Sequence, residues 1–147
     1  MPACGILQVS DCDRFERRWP KLGAFVRDRL HEVSTSYLRG VDRSTPGALD
    51  LADPLVLLER GIRPDRPLPP FMVTCGTKDP LIDDAQRLEA ALERLGVECE
   101  THYYPGEMHA FHALVWRPSA RIFWRDTYSF LERHLAPAPS VLTSTAE

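Results

Sequence analysis

The sequence lacks the features that mark membrane proteins and nucleic-acid-binding proteins. No window approaches the roughly 20 apolar residues that a membrane-spanning helix needs. Of the 18 cationic residues only Lys21 and Lys78 are lysines, and the arginines are scattered among 21 acidic residues. The arginines form no basic stripe, so the sequence does not predict contact with the phosphates of a nucleic acid. The first residues also lack a cationic stretch before an apolar run, so no signal peptide is visible and a cytoplasmic location is the default expectation.

Cysteine spacings typical of metal or redox sites are also missing. The four cysteines stand at positions 4, 12, 75 and 99 and form no C-x-x-C motif. Cys75 lies in an apolar run and Cys99 in an alternating one. Both settings favour buried thiols that pack as small hydrophobic side chains, and we predict neither a disulfide nor a cysteine metal site.

What the sequence does contain is an alternation of strand-like and helix-like segments over residues 1–135, typical of one α/β domain. Ala3–Val9 and 71–75 are apolar runs of strand length, and 97–104 alternates with a period of two. Right-handed crossovers would place about three strands in a parallel sheet with helices on its faces.

Residues 11–50 form a predicted helical insertion that resembles a cap over the sheet. Apolar residues recur there at spacings of three and four, with a break at Pro20 and an end at Gly40. Three of its aromatic residues either line a cap over a binding site or attach small helices to the body, and the sequence leaves both open. These are Trp19, Phe25 and Tyr37.

Further helices are predicted on either side of the run 71–75. Residues 53–58 form a short helix with proline in its first turn, and a longer helix begins at Asp83 or Asp84, which suit the capping position. A last helix is predicted from about residue 119 to 135. The remaining segment, 136–147, is small, polar and proline-bearing, so we predict a disordered tail.

One acid and one base follow the two later strands. Asp79 comes just after the run 71–75, and His109 comes just after the strand 97–104. Because the carboxyl ends of parallel strands share one edge of a sheet, the two side chains could meet there. Asp79 would then hold one imidazole nitrogen while the other accepts a proton from a nucleophile. Taken singly, Asp79 also fits a turn before proline, and His109 an ordinary loop histidine.

Other residues compete for these roles. His112 is an alternative base, and Asp83 or Asp84 an alternative acid, although both aspartates suit helix capping better. Glu107 either lines the site or only solvates its loop. Histidines at i and i+3 without a third ligand at defined spacing are a weak metal signal, so no metal site is predicted.

Four segments together resemble a known family. They are Leu68-Pro-Pro-Phe, Gly76-Thr-Lys-Asp-Pro-Leu-Ile-Asp-Asp, Leu95-Gly-Val-Glu-Cys-Glu and Tyr104-Pro-Gly-Glu-Met-His-Ala-Phe. They are similar to the C-terminal half of an α/β-hydrolase, in the hormone-sensitive-lipase-like carboxylesterase branch, over residues 53–135. The resemblance implies a Ser-His-Asp esterase without a cofactor, acting on small-molecule esters. Asp79 matches the Asp that orients the histidine, and His109 matches the general base. Ala110 stands where the family usually has glycine.

The resemblance also exposes what is missing. The chain contains neither a G-x-S-x-G nucleophile elbow nor an H-G-G-G oxyanion motif. In the family both precede the segment that Ala3–Val9 resembles, so we expect a truncated gene model, a fragment or one piece of a split enzyme. Its partner would be the missing N-terminal half. We expect the chain alone to be inactive, and poorly soluble or associating through its open sheet edge. The alternative is a catalytically silent remnant or interaction protein that pairs through that edge.

Overall fold

The computed structural model describes residues 5–62 and 64–135, and the predicted tail lies outside them. This part of the chain contains five α-helices, two strands and one turn of 3₁₀ helix. In chain order they are α1 Asp13–Arg18, α2 Ala24–Tyr37, α3 Pro54–Glu59, β1 Phe71–Gly76, α4 Ile82–Arg94, β2 Cys99–Tyr104, the 3₁₀ turn Phe111–Ala113 and α5 Pro118–Leu135. None of the described helices has the length and apolarity that crossing a membrane requires.

The two strands are parallel neighbours, joined by α4 in a βαβ unit. Their register runs from Phe71 opposite Cys99 to Gly76 opposite Tyr104, so both strands end at the same level. Residues 72–76 of β1 are all buried, as expected of a strand covered on both faces. The α/β prediction, with parallel strands at 71–75 and 97–104, is confirmed.

One core lies between β1, α3 and α4. Val73 and Cys75 project from the same face of β1 because side chains alternate along a strand. They pack against Leu88 and Leu92 of α4 and against Leu55 of α3. Full burial of each leucine contributes roughly 1.5–3 kcal/mol, so this cluster fixes α4 on the sheet. The helix ends where Gly96 adopts a left-handed conformation, at φ +66°.

A second, aromatic cluster supports the segment after β2. Tyr104, Phe111 and Phe123 are buried together, with Trp124 packed beside them. The Tyr104 and Phe111 rings lie 4.8 Å apart between centroids. This cluster connects the end of β2 and the 3₁₀ turn to α5, so the intervening loop is held at both ends.

The segment 11–50, whose interpretation as a cap-like insertion stays a prediction, contains α1 and α2, which are separated at Pro20 and followed by the turn at Gly40. It packs against the body through Phe15 of α1, Leu30 of α2 and Leu81 just before α4. A buried ion pair accompanies that contact. Arg14 binds both carboxylate oxygens of Asp84, at 3.1 and 2.6 Å.

The predicted strand at Ala3–Val9 is wrong for its described part, because residues 5–9 form no strand. Side-chain carboxylates take backbone donors that a strand would use. Asp84 accepts the Leu7 N–H at 2.8 Å, and Asp53 accepts the Val9 N–H at 2.8 Å. The sheet of the described residues therefore has two strands and not about three.

The start of α4 also differs from prediction. The helix begins at Ile82 after Leu81, and neither Asp83 nor Asp84 caps it through its side chain. Both aspartates lie in the first turn instead, where negative charge favours the helix dipole. Cys75 is buried and Cys99 is partly buried, in keeping with their prediction as small hydrophobic side chains, and Cys12 is buried as well.

Candidate active site

A tight turn after β1 positions Asp79. The Asp79 N–H binds the Gly76 carbonyl at 3.1 Å, and the Asp79 Oδ1 atom accepts the Leu81 N–H at 2.9 Å. The side chain of Asp79 is fully buried. The turn and the start of α4 therefore set the direction in which the second carboxylate oxygen points.

His109 meets that oxygen from the loop after β2. Its Nδ1 atom lies 3.0 Å from Asp79 Oδ2, so the structure brings together the two residues that the sequence singled out. The His109 side chain is 52% exposed, in contrast to its buried partner. A carboxylate acceptor favours the ring tautomer with a proton on Nδ1, which leaves Nε2 as the basic nitrogen of the neutral ring. This is the arrangement that a general base requires.

Backbone hydrogen bonds connect the two loops that hold this pair. The Thr77 N–H donates to the Tyr104 carbonyl at 3.0 Å, and the Lys78 N–H donates to the Glu107 carbonyl at 2.9 Å. The Gly106 N–H donates to Thr77 Oγ1 at 2.8 Å. The separation of Asp79 from His109 is thus set by two loops that bind each other directly.

Gly76 permits this close approach. A Cβ atom built at Gly76 would lie far inside van der Waals contact with the Glu107 carbonyl oxygen and 3.1 Å from the Glu107 Cβ. Because the nearest of these atoms is backbone, a larger residue would push the two loops apart. The sequence presented Gly76 only as the first letter of a motif, and this contact explains why glycine stands there.

Ala110, directly after His109, has a left-handed backbone with φ +58° and ψ +22°. An L-residue there costs roughly 1–2 kcal/mol relative to ordinary helical geometry. Glycine would be unstrained, which gives a physical reason for the glycine of the resembling family at this position. The hydrogen bond from His109 to Asp79 is nevertheless in place.

Glu107 does not line the cavity beside His109 but anchors its loop. The residue is only 7% exposed, and its Oε1 accepts a hydrogen bond from Ser119 Oγ at 2.7 Å. Its Oε2 lies 3.1 Å from Arg117 Nη1, an ion pair without hydrogen-bond geometry. The sequence left the role of Glu107 open, and no pattern in the sequence around it predicts that its side chain is buried.

An apolar cavity of about 520 Å³ adjoins the Asp79–His109 pair. Its wall on the α2 side carries the side chains of Phe25, Val26, Arg29, Leu30 and Val33. On the sheet side it is lined by Lys78, Asp79, Pro80, Leu81, Met108 and His109, and Ile6 completes it. Of the three aromatic residues considered for a cap, Phe25 lines this cavity, whereas Trp19 and Tyr37 do not.

The alternative site residues lie elsewhere. The His112 ring packs against Phe123 at a tilt of 30°, with centroids 4.9 Å apart, and Asp84 is bound to Arg14. His102, a further histidine near the pair His109 and His112 in the sequence, lies 3.9 Å from Asp126 on the face that β2 turns to α5. Within residues 5–62 and 64–135, no three potential metal ligands of the His, Cys, Asp or Glu type come together.

The pKa values of two further groups, the Tyr104 hydroxyl and the Cys12 thiol, are raised. Burial, and then the charge of Asp126, raise the pKa of Tyr104 to about 12. Burial also raises the pKa of the Cys12 thiol. Both groups are therefore neutral at physiological pH.

Comparison with known proteins identifies the class. A family model described as the alpha/beta hydrolase fold matches residues 5–113 of the chain. The match covers more than half of the chain, so the protein belongs to this family, and the resemblance carried by its motifs is confirmed.

Solved structures share the fold. EstE5-PMSF superposes with a TM-score of 0.66 at 21% identity, over 92% of this chain and 42% of EstE5. EstE5 soaked with p-nitrophenyl butyrate gives 0.66 at 21% identity, over 92% and 43%. Carboxyl esterase 2 (TmelEST2) of the mycorrhizal fungus Tuber melanosporum gives 0.62 at 17%, over 90% and 43%. The chain thus spans less than half the length of these esterases. No curated protein matches it.

Proposed function

We propose that this chain is part of a serine-dependent carboxylic-ester hydrolase in which Asp79 and His109 are two members of the catalytic triad. The observation that carries the proposal is the hydrogen bond of 3.0 Å between His109 Nδ1 and Asp79 Oδ2, at the adjacent ends of parallel strands. The apolar cavity beside the pair suits the acyl or alcohol group of a small ester.

The third member of the triad comes from outside these 147 residues, because the sequence has no nucleophile elbow. The fold relatives support this, since the chain spans only 42–43% of their length. The N-terminal half of the hydrolase fold would supply the serine and the oxyanion hole, on the same polypeptide or on a partner.

In the complete site, His109 Nε2 takes the serine proton while the serine oxygen attacks the ester carbonyl carbon. The imidazolium then gives that proton to the leaving alcohol, and an acyl-enzyme remains. Water attacks the acyl-enzyme with the same base, and the carboxylic acid is released. Asp79 keeps the ring in position and stabilises its positive charge during both steps. The chain by itself has no esterase activity.

The test begins with the coding sequence upstream of Met1, where we expect an in-frame H-G-G-G and G-x-S-x-G. The extended protein is assayed with p-nitrophenyl butyrate, the ester that was soaked into EstE5. His109→Ala and Asp79→Asn should each lose turnover by a factor of about 10⁴ while the fold is retained, as removal of triad members does elsewhere.

The matched control is Asp65→Asn, a carboxylate on the surface before β1, which should keep full activity. Full activity in His109→Ala would end the assignment. A reading frame without a serine elbow, together with a 147-residue chain that is a monodisperse and cooperatively melting monomer, would favour a catalytically silent protein instead.

A further inference from the structure

Glu107 is a buried carboxylate for which the triad chemistry has no use. It lies two residues before His109, in the loop that presents the imidazole, and it is 7% exposed. A carboxylate with so little contact with water is stable only where hydrogen bonds or opposite charges compensate its desolvation. Ser119 and Arg117, at the start of α5, provide that compensation.

The same residue contacts the loop of Asp79 through its backbone. The Glu107 carbonyl accepts the Lys78 N–H at 2.9 Å, and its backbone packs directly on Gly76. Glu107 therefore touches three structures at once: the turn that carries Asp79, the loop that carries His109 and the first turn of α5. Neither Ser119 nor Arg117 contributes to the cavity wall, so the contact is mechanical and not part of substrate binding.

We propose that Glu107 is a positioning residue, whose carboxylate fixes the His109 loop to α5 and so holds the imidazole at hydrogen-bond distance from Asp79. The inference rests on the proposed esterase function only for its kinetic consequence. Its structural content is that the bond between His109 Nδ1 and Asp79 Oδ2 depends on the Glu107 side chain, which binds Ser119 and Arg117 at the start of α5.

The test compares Glu107→Ala, Glu107→Gln and Ser119→Ala with the control Glu132→Ala, which changes an exposed carboxylate on α5. Proton NMR of the 147-residue chain, or of the extended protein where the chain associates, follows the low-field signal of the His109 Nδ1 proton. His109→Gln assigns that signal. All spectra are recorded well below the unfolding temperature of the least stable variant.

We expect the proton in Glu107→Ala to exchange with water at least about tenfold faster, because the loop no longer holds the ring against Asp79. Glu107→Gln keeps an acceptor for Ser119 and should recover most of the protection, and Ser119→Ala should show an intermediate effect. Glu132→Ala should be unchanged. In the extended protein, kcat should fall about 10- to 100-fold in Glu107→Ala with KM within about twofold, since small misplacements of a catalytic group have effects of that size.

A purely structural role predicts a different pattern, namely a lower melting temperature with the His109 signal and kcat of the folded protein unchanged. That result would overturn the proposal. Where Glu107→Ala does not fold, unaltered exchange in both Glu107→Gln and Ser119→Ala would overturn it equally. If the signal responds as expected but no form of the protein hydrolyses esters, the positioning role stands and the esterase assignment fails.

Discussion

The sheet region and the N-terminal region of this molecule are stabilised by different kinds of contact. In the sheet region, residues 71–135, backbone hydrogen bonds join β1 to β2 and the loop of Asp79 to the loop of His109. In the N-terminal region, residues 5–62, buried carboxylates bind the chain to its neighbours, as Asp84 does for Leu7 and Arg14. Backbone contacts thus join the two loops of the candidate site, whereas the helices on the α2 side of its cavity join the body through side chains, which are an apolar cluster and the buried Arg14–Asp84 pair.

The largest effect should come from breaking the charged connection between the regions. Arg14→Ala removes the cation that binds both oxygens of the fully buried Asp84 carboxylate and leaves only Arg87, whose Nη1 lies 3.8 Å from Asp84 Oδ1. Loss of one partner of a buried pair costs roughly 3–5 kcal/mol, and we expect a loss at the lower end of that range. Equilibrium urea unfolding measures the change.

Arg17→Ala on the same helix is the matched control, because the Arg17–Asp11 pair is exposed and such pairs contribute about 0–1 kcal/mol. Equal losses in the two variants would show that Arg14 and Asp84 do not hold the regions together.

The second prediction concerns a substitution that disrupts the backbone contact between Gly76 and Glu107 in the sheet region. Gly76→Ala forces a methyl group against the Glu107 carbonyl, and overpacking of this kind costs roughly 1–3 kcal/mol. The loops should separate, so the Asp79–His109 bond should weaken along with stability, as read from urea unfolding and the His109 proton signal.

Gly23→Ala serves as the control for the second prediction. A Cβ at Gly23 meets no heavy atom within 4 Å among the described residues, so only the modest loss of glycine at a helix N-cap, below about 1 kcal/mol, is expected. A His109 signal that is normal in Gly76→Ala would contradict the idea that this contact sets the site.

The difference between the sheet region and the N-terminal region also explains which elements of the fold could be predicted from the sequence. Strands 71–75 and 97–104, the helices around them and the meeting of Asp79 with His109 follow from hydrophobic periodicity and from the geometry of parallel strands. The segment 3–9 has the same apolar pattern, yet its described part is not a strand. Its backbone donors bind Asp53 and Asp84, which lie far away in sequence, and no local pattern reports such partners.

In the candidate site, too, some features could be predicted from the sequence and others could not. The pairing of Asp79 and His109 could be predicted because each follows a strand, and its role in catalysis remains a proposal. The burial of Glu107 could not be predicted, because it depends on where α5 begins in space relative to the loop. The alanine at position 110 gives no sign of its positive φ, and the only such sign was the glycine that the resembling family usually has there.

The smallest predicted effect concerns Ala110 and tests whether its backbone conformation is strained. Ala110→Gly removes the strain of an L-residue at φ +58°, a gain of roughly 1–2 kcal/mol, and adds freedom to the unfolded chain that takes back up to about 1 kcal/mol. We expect a net rise in the free energy of unfolding of about 0.5 kcal/mol by urea denaturation, with the His109 signal unchanged. Ala113→Gly, within the 3₁₀ turn and without positive φ, is the matched control and should lose stability. A loss in Ala110→Gly as large as in the control would mean that the left-handed residue after His109 carries no strain.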